Sequence, residues 1–461
     1  MEAMKLPDYV RKAMDRLEQA GFEVYVVGGA VRDWLRGLEP HDFDLATSAK
    51  PEQTAALFDK CALTGMKHGT VTAIIDHHPV EITTFRKDGD YAGHRKPRHV
   101  EFIDDIHQDL ARRDFTINAM AWNPKTGLID PFHGKEDLEK GVIRAVGDPE
   151  VRFEEDALRM IRAWRFAARL NFKLDEKTEE AIAHKETLIA DVAPERIVPE
   201  IEEIMKDNPQ VLEHMTGLLK PWIPELEIMK NTEQNSPYHY TDVLHHTLDA
   251  LKGMDHWDPD VAWALLLHDS GKPACKTTDA RGVDHFKKHP QESEKIARRV
   301  MRDVKMDNHK RKVVPWLVLY HDSYLSPKLA NLYKLLIERG WDDATMQKYF
   351  AVQKGDILAH SKIERLSQME AFKKFYEEES KKRPLSTKDL ALRGGEIARL
   401  GNLCGPQISL AQKKLLEKAF YHPELNTPQN LARTLAGMLA DIRRQAPVAC
   451  LNRKNEQKKQ G

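Results

Sequence analysis

Asp42 and Asp44, in the run His41-Asp42-Phe43-Asp44-Leu45, lie a short step after Gly28-Gly29-Ala30-Val31-Arg32-Asp33. On extended backbone, positions i and i+2 project to the same side, roughly 6–7 Å apart. Two carboxylates so placed can hold a pair of divalent cations that clamp the attacking and leaving oxygens of a phosphoryl or nucleotidyl transfer. The glycines let backbone N–H groups approach a triphosphate, and Arg32 can neutralise it. Such a site takes a third carboxylate from a neighbouring strand, and Glu81, opening the alternating run Glu81-Ile82-Thr83-Thr84-Phe85-Arg86, is the candidate. An isolated Asp-x-Asp is more often a solvated turn, and a Gly-Gly pair after a strand is often only a tight turn. Here strand Val24–Val27, glycine turn, helical stretch Val31 to Leu35 and paired aspartates come in order, and that order points to a nucleotide-handling site.

The elements that must position these residues divide the chain. Residues 1 to about 145 mix strand-like runs (Val24–Val27, Val71–Ile75, Val80–Phe85) with short helical stretches, an α/β or α+β head. From Pro149 onward 3.6-residue periodicity takes over, as in Leu158, Ile161, Trp164 and Ala168, and the remainder reads as helical. The division expected is a head over 1–148, a helical neck over 149–230, a His-rich helical domain over 231–378, C-terminal helices over 379–445 and a basic, disordered tail over 446–461.

Composition bounds the class. With 461 residues the chain has length for two or three domains. No run of eighteen apolar residues occurs and Met1 to Lys12 lacks an apolar core, so a membrane span and a secretory signal are not expected. Cys61, Cys275, Cys404 and Cys450 are scattered without a Cys-x-x-Cys, against a thiolate zinc site or a disulfide framework. These features imply a cytoplasmic protein. Lysine plus arginine (71) balance aspartate plus glutamate (72), so any nucleic-acid binding must rest on segregated charge. Arg152, Arg159, Arg162, Arg165 and Arg169 crowd one such stretch.

The run from Val26 to Thr47 resembles the signature of class II nucleotidyltransferases, the bacterial CCA-adding tRNA nucleotidyltransferases and their poly(A) polymerase relatives. The likeness continues through Lys67-His68-Gly69-Thr70, Glu81 to Arg86, Arg112-Arg113-Asp114-Phe115-Thr116-Ile117-Asn118 and Glu155-Asp156-Ala157-Leu158-Arg159. It implies a mixed-sheet α/β head, then an all-α neck, body and HD helical domain. It also implies addition of CCA to the 3′ end of tRNA from CTP and ATP without a nucleic-acid template, with two Mg²⁺ held by Asp42, Asp44 and Glu81. By the same resemblance Arg113 contacts the triphosphate and Asp114 the ribose hydroxyl, with Asn118 joining it from the same helical face. Gly28, Gly29, Arg32, Arg162 and Arg165 complete the nucleotide-binding set.

Asp156 and Arg159 bear on the choice of base. At i and i+3 of one helix they share a face. A carboxylate accepts from an exocyclic amine while a guanidinium donates to ring acceptors. Cytosine and adenine offer an amine beside an acceptor, whereas uracil and guanine reverse that order. The plain alternative is a helical ion pair; the resemblance makes this spacing the base-reading motif. The loop Lys87 to Arg98 reads as mobile and full length, which favours complete CCA or terminal A addition, although Gly93-His94-Arg95-Lys96 departs from the usual pattern.

His246, His268-Asp269, His289, His321 and Asp356 come in the order of HD phosphohydrolases, with a His-Asp pair on a helix. The resemblance makes His246, His268, Asp269 and Asp356 ligands of a transition metal such as Mn²⁺ or Ni²⁺, with His289 and His321 where binuclear members carry more. It allows phosphohydrolase activity on tRNA ends. Two rival readings stay open: an A-adding enzyme working with a CC-adding partner, and an HD metallophosphohydrolase using the head as an RNA-binding module. Oligomeric state is not legible.

Overall fold

The computed structural model describes residues 4–89, 91–92, 96–97, 100–236, 241–360 and 365–446. The departing stretch of the expected mobile loop (93–95) and the basic tail from 447 lie outside the described residues. The chain forms two compact units, Met1–Pro315 and Trp316–Gly461, divided within the helix Asn308–Tyr320.

In the first unit, α1 (Asp8–Gln19) buries Val10, Ala13, Met14 and Leu17, a single stripe at helical spacing. It leads into β1 (Val24–Val27), whose four residues are all buried. The turn at Gly28 then enters α2 (Gly29–Leu35), and β2 (Asp44–Thr47) pairs antiparallel with β1, setting Val27 opposite Asp44. After α3 (Pro51–Leu57) come β3 (Cys61–Ala62), β4 (Thr70–Ile75) and β5 (His78–Thr84). The seven-stranded sheet runs Gly127–Ile129, Ala121–Asn123, β1, β2, β5, β4, β3.

Register explains the core. Val26, Leu45 and Ile82 are cross-strand neighbours and each is at most 1% exposed. The parallel pairing of β2 with β5 sets Leu45 beside Ile82, so the residues before them, Asp44 at the start of β2 and Glu81 within β5, lie side by side. Alternation then carries both carboxylates to the face opposite that core row.

Helices make up most of the chain beyond the sheet, as the periodicity implied. Pro149–Glu155 starts under Asp148, whose side chain accepts from the Glu150 N–H, with Pro149 in the first turn where its missing N–H costs nothing. Leu158–Leu170 ends at Asn171 in the left-handed conformation. Glu176–Lys185 and Pro194–Asp207 come next. The sequence showed no strand past residue 149, but Lys173–Leu174 pairs parallel with Val142–Ile143, and Thr277–Thr278 pairs with Asp284–His285. Two residues are too few to register as a period. Further helices of this unit include Val243–Lys252, Pro259–Leu267 and His289–Asp303.

The second unit contains the helices Asp343–Leu358, Arg365–Glu379, Gly394–Gly401, Pro406–Tyr421 and Pro428–Gln445. Ile397, Leu415, Leu431 and Leu435 form the core of its last three helices. Among the described residues no helix is long and apolar enough to cross a membrane.

Candidate active site

A cleft of about 620 Å³ in the first unit gathers the nucleotide-site residues singled out in the sequence. Gly28, Gly29 and Arg32 line it from the β1–α2 turn, Asp42, Asp44 and Glu81 from the strands, and Arg113, Asp114 and Asn118 from the segment before Ala121–Asn123. Asp156, Arg159, Arg162 and Arg165 close it from the helices beyond residue 148.

The acidic wall is the expected i, i+2 pair. Asp42 and Asp44 are open to the cleft while Phe43 between them is buried. Although Asp44 faces the cleft, the walls shield it from bulk water. That burial, with the charges of Asp42 and Glu81 adding and Arg113 opposing, pushes its pKa up to about 6. Three crowded carboxylates are hard donors with surplus negative charge, a composition that fits Mg²⁺.

Gly28 carries φ of +68° at the entrance to α2, and an added Cβ would stand 3.4 Å from Arg113 Nη1. With ψ near −127° this is backbone that only glycine adopts without strain. Gly28→Ala should cost on the order of 1–3 kcal/mol of stability, read as a shift of the denaturation midpoint. An unchanged midpoint would show the turn to be indifferent to its residue.

The basic wall is held by a chain of bonds. Arg162 donates from Nε and Nη2 to Asp114 Oδ2 at 3.0 and 2.6 Å. Asn118 Nδ2 donates to Asp114 Oδ1 at 3.3 Å, and Arg32 Nη1 donates to Asn118 Oδ1 at 2.8 Å. Burial works against ionisation of Asp114, but the charge and hydrogen bonds of Arg162 prevail and hold its pKa at about 2. Asp114 is therefore an acceptor, as a contact to a ribose hydroxyl requires. Asn118 reaches it from a single 3₁₀ turn, Thr116–Asn118, and not from the α-helical face expected. Arg113 is braced by Asp109 at 3.2 Å.

Asp156 and Arg159 do not share one helix. Asp156 is extended (φ −141°, ψ 102°) and ends Pro149–Glu155, whereas Arg159 lies in the first turn of Leu158–Leu170. Through its side chain Asp156 accepts from the Leu158 N–H at 3.2 Å, an Asx-type bond that starts the new helix. Arg196 donates to both Asp156 oxygens, at 3.2 and 2.7 Å. Arg159 is 9% exposed and is fixed by Glu155 at 2.7 Å and by the carbonyls of Arg152 and Arg112 at 3.2 and 3.0 Å. Oδ2 of Asp156 keeps a lone pair beyond its single bond from Arg196.

Sequence reasoning missed several parts of this wall. Phe166 lines the cleft with Arg169, and Glu200 pairs with Arg162 at 3.6 Å and with Arg165. Arg196 and Glu200 lie some forty residues from their partners, in the helix Pro194–Asp207. Phe166 carried a signal, being one of two aromatics, with Trp164, inside the Arg162–Arg169 run.

The histidine block forms a second cluster. In the first unit, the ligand atoms of His246, His268 and Asp269 lie within 4.8 Å of one another, all buried. The His-Asp pair sits just past the end of helix Pro259–Leu267, where the sequence had placed it on the helix. His268 and His289 each set Nδ1 against the carbonyl three residues earlier (Leu265, 2.6 Å; Phe286, 2.8 Å), which orients the ring and leaves Nε2 as the ligand atom. His289 Nε2 stands 3.3 Å from Asp269 Oδ1, and Lys272 Nζ 2.6 Å from Asp269 Oδ2. In the second unit, His321 sets Nδ1 against Val318 O at 2.6 Å, and Asp356 accepts from Tyr324 Oη at 3.2 Å.

Comparison with known proteins adds to this geometry. Residues 24–144 match the poly A polymerase head domain, and residues 171–229 match the probable RNA and SrmB-binding site of polymerase A. The CCA-adding enzyme of Lactobacillus helveticus is 52% identical over 196 residues, 42% of this chain and 49% of that protein. That of Streptococcus uberis is 44% identical over 278 residues, 58% and 65% respectively. The chain thus spans about half to two thirds of the length of these curated relatives. The structure of the Bacillus stearothermophilus CCA-adding enzyme in complex with CTP superposes with a TM-score of 0.66 at 25% identity, covering 95% of this chain and 99% of that one. A Thermotoga maritima CCA-adding enzyme complexed with tRNA shares the fold at a TM-score of 0.56 and 22% identity.

Proposed function

We propose that this chain, whose residues 24–144 match the poly A polymerase head domain, adds C, C and A to the 3′ end of tRNA, taking CTP and ATP as substrates in the cytoplasm. The observation that carries the reading is one cleft lined by three carboxylates, Asp42, Asp44 and Glu81, by the guanidiniums of Arg32, Arg113, Arg162 and Arg165, and by Asp156 and Arg159. The names of the relatives, and the CTP bound to one of them, support it.

Asp42, Asp44 and Glu81 would hold two Mg²⁺ ions, which when bound lower the pKa of the RNA 3′-hydroxyl and neutralise the α-phosphate and the leaving pyrophosphate. The hydroxyl oxygen attacks the α-phosphorus, the bond to the bridging oxygen of the β-phosphate breaks, and the hydroxyl proton is lost to solvent. No enzyme nucleophile is needed. Arg32, Arg113, Arg162 and Arg165 anchor the triphosphate, with Gly28 and Gly29 allowing close backbone approach. Asp114 accepts from the ribose hydroxyl. Asp156 accepts from the exocyclic amine of cytosine or adenine and Arg159 donates to the ring acceptor beside it. Uracil and guanine would set a carbonyl against the carboxylate.

The test supplies Mg²⁺ with tRNA ending at the discriminator base, at C or at CC, and each nucleotide alone or mixed. Stepwise C, C, A addition and a stop is the expected product ladder. Addition of A to the CC-ended tRNA alone would make the chain the A-adding half of a pair. No incorporation would sink the reading.

A second reading is favoured by the buried cluster of His246, His268 and Asp269. These residues, with His289, would hold a transition metal such as Mn²⁺ or Ni²⁺, and the site would serve phosphohydrolysis. His268→Ala should remove about one equivalent of bound metal by elemental analysis and leave CCA addition unchanged. Full metal content in the variant would exclude His268 as a ligand.

A further inference from the structure

We propose that Phe166 is a positioning residue for nucleotide binding, whose ring holds the guanidiniums of Arg32, Arg162 and Arg165 in place by cation–π attraction. The proposal rests on the nucleotidyl-transfer reading above. Phe166 is 5% exposed and lines the cleft. Three guanidinium carbons stand over its ring: Arg165 at 4.3 Å, Arg162 at 5.4 Å and Arg32 at 5.6 Å from the centroid, all within the range of this attraction. The ring itself is fixed by Phe115, which meets it edge to face at 5.7 Å and 75°.

Each of the three arginines also has its own carboxylate. Arg162 pairs with Asp114, Arg165 with Glu200 and Arg32 with Asp33. Glu200 also reaches Arg162, but among the described residues no carboxylate pairs with all three arginines, whereas the ring lies within about 6 Å of each guanidinium. Arg32 comes from the head, and Arg162 and Arg165 from the helix Leu158–Leu170, so the ring gathers charges from two separate parts of the chain. Like charges this close repel, and the crowding is visible at Arg165, whose pKa is lowered by burial and by the charge of Arg162.

A further carboxylate in the place of Phe166 would relieve the repulsion, but it would also cancel the charge that a triphosphate needs. An aliphatic side chain would fill the volume without attracting the cations. An aromatic ring attracts them and adds no net charge. The guanidiniums are thereby set before the triphosphate arrives, so less ordering is left to binding.

Progressive ring fluorination tests this, because it drains the ring quadrupole while nearly preserving shape. Full-length protein carrying phenylalanine, then mono-, di- and trifluorophenylalanine at position 166, is titrated with CTP and Mg²⁺ by calorimetry. The dissociation constant should climb stepwise, about tenfold across the series, and KM for CTP should climb with it. Turnover at saturating CTP should stay within about twofold, and the protein should remain folded at the assay temperature. Phe166→Tyr, which keeps the quadrupole, should bind like the parent, and Phe166→Leu like the trifluoro protein. A flat fluorination series with CTP still bound would overturn this proposal alone. No CTP binding by the unmodified chain would overturn it together with the reading on which it rests.

Discussion

Asp44→Asn should lower nucleotide incorporation by on the order of a thousandfold or more, while making the metal-free protein more stable at neutral pH. On the proposed mechanism the loss comes from removing one anchor of the cation pair that would stabilise charge developing on the phosphate. The gain comes from the crowding of Asp44. Its pKa in the folded chain is raised from the ordinary 3.8 to about 6. A carboxyl shifted upward binds its proton more tightly in the folded state, so its favourable contribution is full below pH 3.8 and is lost as the pH rises to about 6. Above that window the ionised side chain works against folding, and the amide removes that cost. Mg²⁺ reverses the situation, because it binds the ionised form. The Mg²⁺-induced rise in Tm should therefore grow between pH 5 and 7 in the parent, and be smaller and less pH-dependent in the variant. Equal Mg²⁺ shifts in both proteins across that range would place the cations elsewhere.

Asp156→Ala and Arg159→Ala should relax the preference for C and A over U and G by about 10–100-fold, the worth of one hydrogen bond to a charged group. They should weaken triphosphate affinity far less. The asymmetry arises because Arg32, Arg113, Arg162 and Arg165, proposed to hold the triphosphate, keep their carboxylate partners in either variant. The two variants should differ in kind. Asp156 also caps the following helix and receives Arg196, so its loss strands a guanidinium and loosens the turn. Arg159 is itself the donor to Glu155 and two carbonyls, so its loss leaves acceptors unfilled. Single-nucleotide incorporation with each of the four triphosphates separates selectivity from affinity. Unchanged selectivity in both variants would remove these residues from base reading.

The cleft's chemistry was legible where it lies in short, ordered runs. Asp42, Asp44 and Glu81 could be read because a strand's alternation fixes which side chains share a face, and register then sets Asp44 beside Glu81. Arg113, Asp114 and Asn118 were found as a group although their local backbone is a 3₁₀ turn and not an α-helix. The junction at Asp156 was missed, because the spacing of three is the same whether or not a helix breaks between. Long-range support remained hidden: Arg196 and Glu200 act on the site through folding and not through neighbouring sequence. The His-Asp pair was read as part of a metal-ligating cluster but displaced by one helix end, since an apolar run such as Val261–Leu267 does not reveal where its last turn closes.

Val142–Ile143 and Lys173–Leu174 form only a two-residue parallel pair, yet they tie the sheet-bearing part of the chain to the helices behind it. The bonds from Arg162 to Asp114 and from Arg159 to the Arg112 carbonyl cross the same line. The cleft is therefore not a cassette that can be lifted out at residue 148. A fragment cut there would leave the acidic wall facing solvent and Asp114 without its guanidinium. Grafts between relatives need to carry the helices through Asp207 as one inheritance, and a substitution in Pro194–Asp207 belongs to the same unit of selection as the aspartates it never touches.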